Sequence, residues 1–221
     1  MNAEFWDFFN IYAAPKLAAR EASFRRIFTY LDGIQGPILI VETGCARTPG
    51  NWDGDGQSTV LFDKYISARD RASRCLSVDI NPESVEVCKR IVSARTVVSQ
   101  DDSVHFLNLL TQNLVSNGEH IHFLYLDSFD LDFDYWQPSA IHHLKELTAA
   151  MRAISKDTLV VVDDCLLTGH FSTVDDRKIE FSSKPKIGGK GRLVGEFATA
   201  CGAKLEFSGY QAGWTGFNPS T

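Results

Sequence analysis

The sequence predicts an α/β fold in which a mostly parallel sheet carries helices on both faces and closes with an antiparallel hairpin. Three observations predict it. Short apolar, β-branched runs alternate with longer amphipathic stretches from residue 38 to residue 163, the pattern of strands joined by crossover helices. The last two strand-like runs, Lys204 to Ser208 and Ala212 to Phe217, lie too close together for a crossover helix and must pair antiparallel. Four of the five earlier runs end in a carboxylate, at Glu42, Asp79, Asp127 and Asp163.

Taken in order, the first thirty or so residues place Phe5, Phe8, Phe9, Ile11, Tyr12, Leu17, Phe24, Ile27, Phe28 and Leu31 at spacings near three and four, broken at Pro15. This predicts two amphipathic helical pieces. Gly33 and Gly36-Pro37 then punctuate the chain, so residues 1–32 read as a helical extension and residues 33–221 as the α/β domain. Ile38-Leu39-Ile40-Val41 is continuously apolar, as a strand buried on both faces is. Further strands are predicted at Cys75 to Asp79, Thr96 to Ser99, His122 to Leu126 and Leu159 to Asp163. Helices are predicted over 58–67, 82–93, 103–110 and 139–155. Asn81 before Pro82 and Ser139 after Pro138 supply helix-start chemistry. A final helix runs from Arg192 to Cys201 and stops at Gly202.

Composition narrows the function. The 221 residues are 44% hydrophobic and 23% charged, with a formal net charge of -6. This is the composition of a globular chain, and it offers no broad positive surface for a phosphate backbone, so nucleic acid is not an expected partner. No run approaches the roughly 20 apolar residues that span a bilayer, and the N terminus lacks a basic region ahead of an apolar one. A soluble, cytoplasmic protein with no membrane partner is the expectation. The five cysteines form no CxxC pair and are mostly flanked by apolar residues, so they read as buried thiols.

In an open parallel sheet, ligands sit beyond the carboxyl ends of the strands. Acidic residues are poor strand formers and costly to bury unpaired, so their repetition there asks for a positive or hydroxyl-rich ligand. After the first strand comes Glu42-Thr43-Gly44-Cys45-Ala46-Arg47, where Gly44 lets the backbone approach a ligand. The nicotinamide fingerprint G-x-G-x-x-G is absent, because a long loop from Thr48 to Gln57 follows instead. Asp79, at the end of the second strand, can accept two ribose hydroxyls. Ser58 starts a helix whose N terminus favours a ligand carboxylate.

Val41-Glu42-Thr43-Gly44-Cys45-Ala46 resembles the first motif of class I S-adenosylmethionine-dependent methyltransferases, with Ala46 where many members have a second glycine. Leu76-Ser77-Val78-Asp79-Ile80 resembles their ribose-binding motif, and Val98-Ser99-Gln100-Asp101-Asp102-Ser103 is similar to the motif that meets adenine. The resemblance covers roughly residues 33 to 217. It implies the seven-stranded Rossmann-like methyltransferase sheet, S-adenosylmethionine as cofactor, and a cofactor site formed by Glu42, Gly44, Cys45, Ser58, Asp79, Ile80, Asp102, Ser103 and Asp127.

Asp127 follows the fourth strand, and Asp163 and Asp164 follow the fifth. Neighbouring strands are about 4.8 Å apart, so the three side chains can converge. Hard oxygen ligands at one point suit Mg²⁺ or another divalent cation, and three bare carboxylates would repel one another. The arrangement resembles the metal site of macrocin O-methyltransferase and cephalosporin-hydroxylase-like proteins. Such an ion would bind a hydroxyl of a small-molecule acceptor and lower its pKa. His170, beyond Asp164, is the candidate general base, since imidazole titrates near neutral pH.

Asp130, Asp132 and Asp134 read as solvated turn residues or a helix entry, and of the pair His142 and His143 only one can face inward. Trp52 is placed to cover the cofactor or acceptor. The polar, glycine-containing run 171–191 reads as a mobile lid, with Lys190 or Arg192 facing an anionic acceptor. Exposed aromatics on the first helix would suit a symmetric homodimer. Two other functions compete: a nicotinamide-dependent oxidoreductase, which leaves the acid pair after the fifth strand unexplained, and a cofactor-binding partner protein without catalysis.

Overall fold

The structure is a computed structural model. It describes residues 2–132, 134–165, 168–173 and 179–217, with the side chains of 168–173 and 179–186 left aside. Five strands, β1 (Leu39–Thr43), β2 (Arg74–Asp79), β3 (Thr96–Gln100), β4 (Ile121–Leu126) and β5 (Ile154–Val162), run parallel. β8 (Lys204–Phe207) and β9 (Ala212–Thr215) complete a seven-stranded sheet of order β3-β2-β1-β4-β5-β9-β8, with β9 antiparallel to both neighbours. The predicted closing hairpin is therefore present. The strand order reverses direction between β1 and β4.

Period-two burial explains the layers. Ile38 and Ile40, Phe123 and Tyr125, and Leu159 and Val161 face one hydrophobic cluster, while Leu39 and Val41, Leu124 and Leu126, and Val160 and Val162 face another. The second cluster is covered by α5 (Ser103–Ser116), α6 (Gln137–Ala150) and α7 (Arg192–Ala200). The first is covered by α3 (Ser58–Ser67) and by the N-terminal segment, which folds as α1 (Ala3–Phe8), short π and 3-10 turns through Arg20, and α2 (Glu21–Asp32). Pro15 sits in one of those turns, where the missing N–H costs least. α4 (Pro82–Ile91) opens with the Asn81 side chain accepting from the Glu83 N–H and ends with Lys89 and Arg90, complementing its dipole at both ends.

The N-terminal residues thus belong to the main core. Phe5, Phe9, Phe24 and Phe28 pack with Phe62, Tyr65 and Tyr125. The expectation of exposed aromatics before Pro15 is met by Tyr12, whereas Phe5 and Phe9 are fully buried and Trp6 and Phe8 half-buried; Ile11 is the other exposed apolar residue there. Among the described residues, no helix is long and apolar enough to cross a membrane.

The run expected to be a lid over 171–191 overlaps one strand, β6 (Thr168–Thr173), and contains another, β7 (Ile179–Lys186), the two paired antiparallel in a separate sheet. Phe171, Ile179 and Phe181 alternate with Ser172, Glu180 and Ser182, a strand period masked by the polar composition.

Phe62 joins the N-terminal helices to the sheet through Phe24, Phe28, Phe123 and Tyr125. Phe62→Ala should lower unfolding stability by about 3–5 kcal/mol, measured by urea denaturation.

Candidate functional site

The reversal between β1 and β4 opens a crevice at the carboxyl ends of the strands. Gly44 makes it possible. Its φ is 78°, and a Cβ there would collide with the Asp127 carbonyl. The Gly44 N–H donates to the Val78 carbonyl at 2.8 Å and the Asp127 N–H to the Thr43 carbonyl at 3.0 Å, which fixes the ends of three strands together. The chain then turns so that the Cys45 N–H donates to Asp79 Oδ2 at 3.1 Å, while the Asn81 N–H donates to Oδ1 at 2.8 Å. The Ala46 N–H donates to Thr59 Oγ1 at 2.9 Å and ties the turn to the start of α3.

The resulting cleft has a volume of about 420 Å³. Of the predicted cofactor residues, Gly44, Cys45, Ser58, Asp79 and Asp127 line it. Four others stand outside its wall. Glu42 is fully buried beneath the turn, where Ser58 Oγ donates to it at 2.5 Å and Ser77 Oγ at 2.7 Å. It holds up the residues that line the cleft, and burial raises its pKa to about 7. Ile80 points to solvent at 68% exposure. Asp102 caps α5 by accepting from the His105 N–H at 2.9 Å. Ser103 is buried against Ser128 and His142. Hydroxyls and acids of this kind are also the usual helix-starting residues, so the sequence does not separate the two roles.

Asp127, Asp163 and Asp164 converge as expected, each offering an oxygen within 4.8 Å of the others. Asp164 does so from a backbone in the left-handed region, at φ 47°. Counter-charge comes from two side chains. Arg20 Nε donates to Asp163 Oδ2 at 2.9 Å, and its Nη2 reaches Asp164 Oδ1 at 3.4 Å and Tyr210 Oη at 3.3 Å. The guanidinium also lies over the Tyr210 ring, 4.4 Å from its centroid. Lys190 Nζ contacts Asp127 Oδ1 and lies 3.0 Å from Asp164 Oδ2. Burial opposes both positive charges, but the carboxylates around them outweigh it and hold both pKa values above their ordinary range.

The glycines about Lys190 deliver it there. A Cβ at Gly189 would strike the Asp164 carbonyl, and one at Gly191 would strike Cys165 Sγ. The Lys190 N–H donates to the Asp164 carbonyl at 3.2 Å. The residues 188–191, expected in a lid, instead pack against the end of β5.

Other expectations resolve similarly. Arg47 makes a two-pronged pair with Asp130, at 3.0 and 3.1 Å, which holds that carboxyl below its usual pKa. Asp132 accepts from the N–H groups of Asp134 and Tyr135 and organises the turn before α6. His143 is fully buried with Nδ1 against the Ser139 carbonyl, while His142 meets Ser103 and Glu146, so one histidine faces inward as expected. Trp52 packs against Phe8 and Tyr12 of the N-terminal segment, not over the cleft. Cys75, Cys88 and Cys165 are buried, whereas Cys201 is exposed. His170 lies on β6 opposite Ser182, and its side chain is outside the described residues. Arg20 and Tyr210 were missed because no local pattern marks them.

No protein-family model and no curated protein matches the chain significantly. Solved structures do. Cofactor-bound Rv0187 from MTB is 13% identical, with 93% of this chain and 89% of that chain covered and a TM-score of 0.50. A methyltransferase from Geobacter sulfurreducens is 16% identical over 92% of this chain and 88% of that chain, with a TM-score of 0.46. DhpI in its complex with SAH is 13% identical over 99% and 94%, with a TM-score of 0.47. At such identities the likeness is one of fold, carried by the first of the three.

Two predictions follow from the buried charges. Arg20→Met leaves Asp163 without its partner and should cost about 3–5 kcal/mol in urea unfolding. Glu42 keeps its proton in the folded chain up to about pH 7 but loses it near pH 4.5 when unfolded. The unfolded state therefore binds fewer protons between those values, and stability falls as pH rises through them. Relative to Glu42→Gln, the wild type should lose about 2–3 kcal/mol between about pH 5 and about pH 8, read from urea curves of both proteins.

What the Rossmann-like fold carries is a cleft at the reversal of strand order, walled by Asp79 on one side and by Asp127, Asp164 and Lys190 on the other.

Proposed function

We propose that the protein transfers a methyl group from S-adenosylmethionine to a hydroxyl of a small molecule. The observation that carries this reading is Asp79, held on the cleft wall across the Gly44 turn at the point where strand order reverses. Each Asp79 oxygen takes one backbone N–H and keeps a lone pair, so the carboxylate can accept from both hydroxyls of a ribose. The N terminus of α3, with Ser58 on the cleft wall, favours the carboxylate of the cofactor's methionine end. When bound, the cofactor supplies an electrophilic methyl on a sulfonium.

This chain's residues have to position the acceptor and manage charge. Three carboxylates against two side-chain cations leave the cluster beside the cleft with one formal negative charge. Alignment of the acceptor oxygen with the methyl then supplies much of the rate. His170 is the residue proposed to take the hydroxyl proton. Divalent-ion assistance at Asp127, Asp163 and Asp164, expected from the sequence, does not fit the residues present. Asp163 is committed to Arg20, and the Lys190 ammonium lies against the other two carboxylates.

Calorimetric titration with S-adenosylhomocysteine tests the cofactor. The wild type should bind in the micromolar range, and Asp79→Ala should weaken binding roughly 10- to 100-fold. A folded wild type that binds NADH and not S-adenosylhomocysteine would replace this reading with the oxidoreductase one.

A further inference from the structure

We propose that Lys190 is the resident cation of this site, standing where a divalent ion would otherwise have to stand, so that ligands meet Asp127 and Asp164 without metal. The identity of the ligand rests on the methyl-transfer reading; the identity of the cation does not.

Four observations carry the inference. Lys190 is 2% exposed, yet it lines the cleft, so its ammonium is part of the cleft wall and not a solvated surface charge. It touches carboxylates from the ends of two adjacent strands, Asp127 after β4 and Asp164 after β5. The chain is shaped to bring it there, because only glycine fits at 189 and 191 against the Asp164 carbonyl and Cys165 Sγ. The third carboxylate, Asp163, is taken by Arg20 from the far end of the sequence.

A divalent ion binds through six or more oxygens and relies on carboxylate charge. Here each carboxylate already faces a fixed positive group, and an added ion would sit within a few ångströms of both cations, where like charges repel strongly in a partly desolvated site. An ammonium has three N–H donors, and among the described residues Lys190 Nζ donates to Asp127 Oδ1 and pairs with Asp164 Oδ2. Its place on the cleft wall sets this positive group beside a ligand in the cleft. Lys190 thereby supplies a positive group for an oxygen ligand, a role otherwise given to a metal, as a fixed part of the chain.

The test is Mn²⁺ binding followed by electron paramagnetic resonance, with S-adenosylhomocysteine binding measured in parallel on the same samples. The wild type should show no Mn²⁺ site tighter than about 1 mM. Lys190→Ala frees Asp127 and Asp164 and should create a site roughly tenfold tighter or more, lost again when Asp127→Asn is added. Lys190→Gln, which retains most of the side-chain volume, serves the same purpose if the alanine variant does not fold. Micromolar Mn²⁺ binding by the wild type that disappears in Asp163→Asn would overturn the inference. So would a folded Lys190→Ala that remains indifferent to Mn²⁺. A wild type that binds neither Mn²⁺ nor S-adenosylhomocysteine would sink the cofactor reading and leave the cation assignment standing.

Discussion

Carboxylates that end neighbouring strands of a parallel sheet cannot be withdrawn from water together unless positive charge is brought to them. In this chain Asp127, Asp163 and Asp164 pose that demand, and much of what distinguishes the fold answers it. The N-terminal segment follows the sheet face until Arg20 meets Asp163. The glycine-rich turn after β7 lies against the end of β5 until Lys190 meets Asp127 and Asp164. Tyr210, from the connection between β8 and β9, flanks the guanidinium with its ring and hydroxyl. Nearby, the buried amide of Gln211 joins Ser23 on α2 to Tyr125 on β4.

The two sides of the cleft are built by different means. On the β2 side backbone groups do most of the work: N–H donors of Cys45 and Asn81 aim the Asp79 carboxylate, with buried Glu42 and two serines beneath them. On the β5 side long charged side chains from distant parts of the sequence do it. A turn held by backbone hydrogen bonds places its groups rigidly, whereas an ion-pair network can adjust to a ligand's charge. On the methyl-transfer reading proposed above, the first side would hold the nucleoside and the second would meet the acceptor.

The sheet was legible because strands buried on both faces announce themselves as apolar runs, and the helices between them as amphipathic periods. The strand-end acids were legible for the same reason, being out of character where they stand. Their neutralisation was not. Arg20 and Asp163 are 143 residues apart, and no local period connects them. Lys190 did carry a signal in its flanking glycines, but a glycine-rich stretch reads equally as mobility and as close packing, and only the position of Asp164 decides between them. The β6–β7 hairpin was hidden by serines and lysines that diluted a genuine period of two. Glu42, Asp102 and Ser103 show the converse limit, since a residue type suited to binding is equally suited to capping or to buttressing a turn.

The distance along the chain between Arg20 and Asp163 also bears on how the molecule is made. During synthesis the guanidinium emerges first, and the three acids follow more than a hundred residues later with Lys190 later still. Until that lysine has left the ribosome, the edge of the sheet holds acids whose second counter-charge does not yet exist. Contacts of such long range close late in folding. A nascent chain that has already emerged through β5 therefore still lacks a finished site.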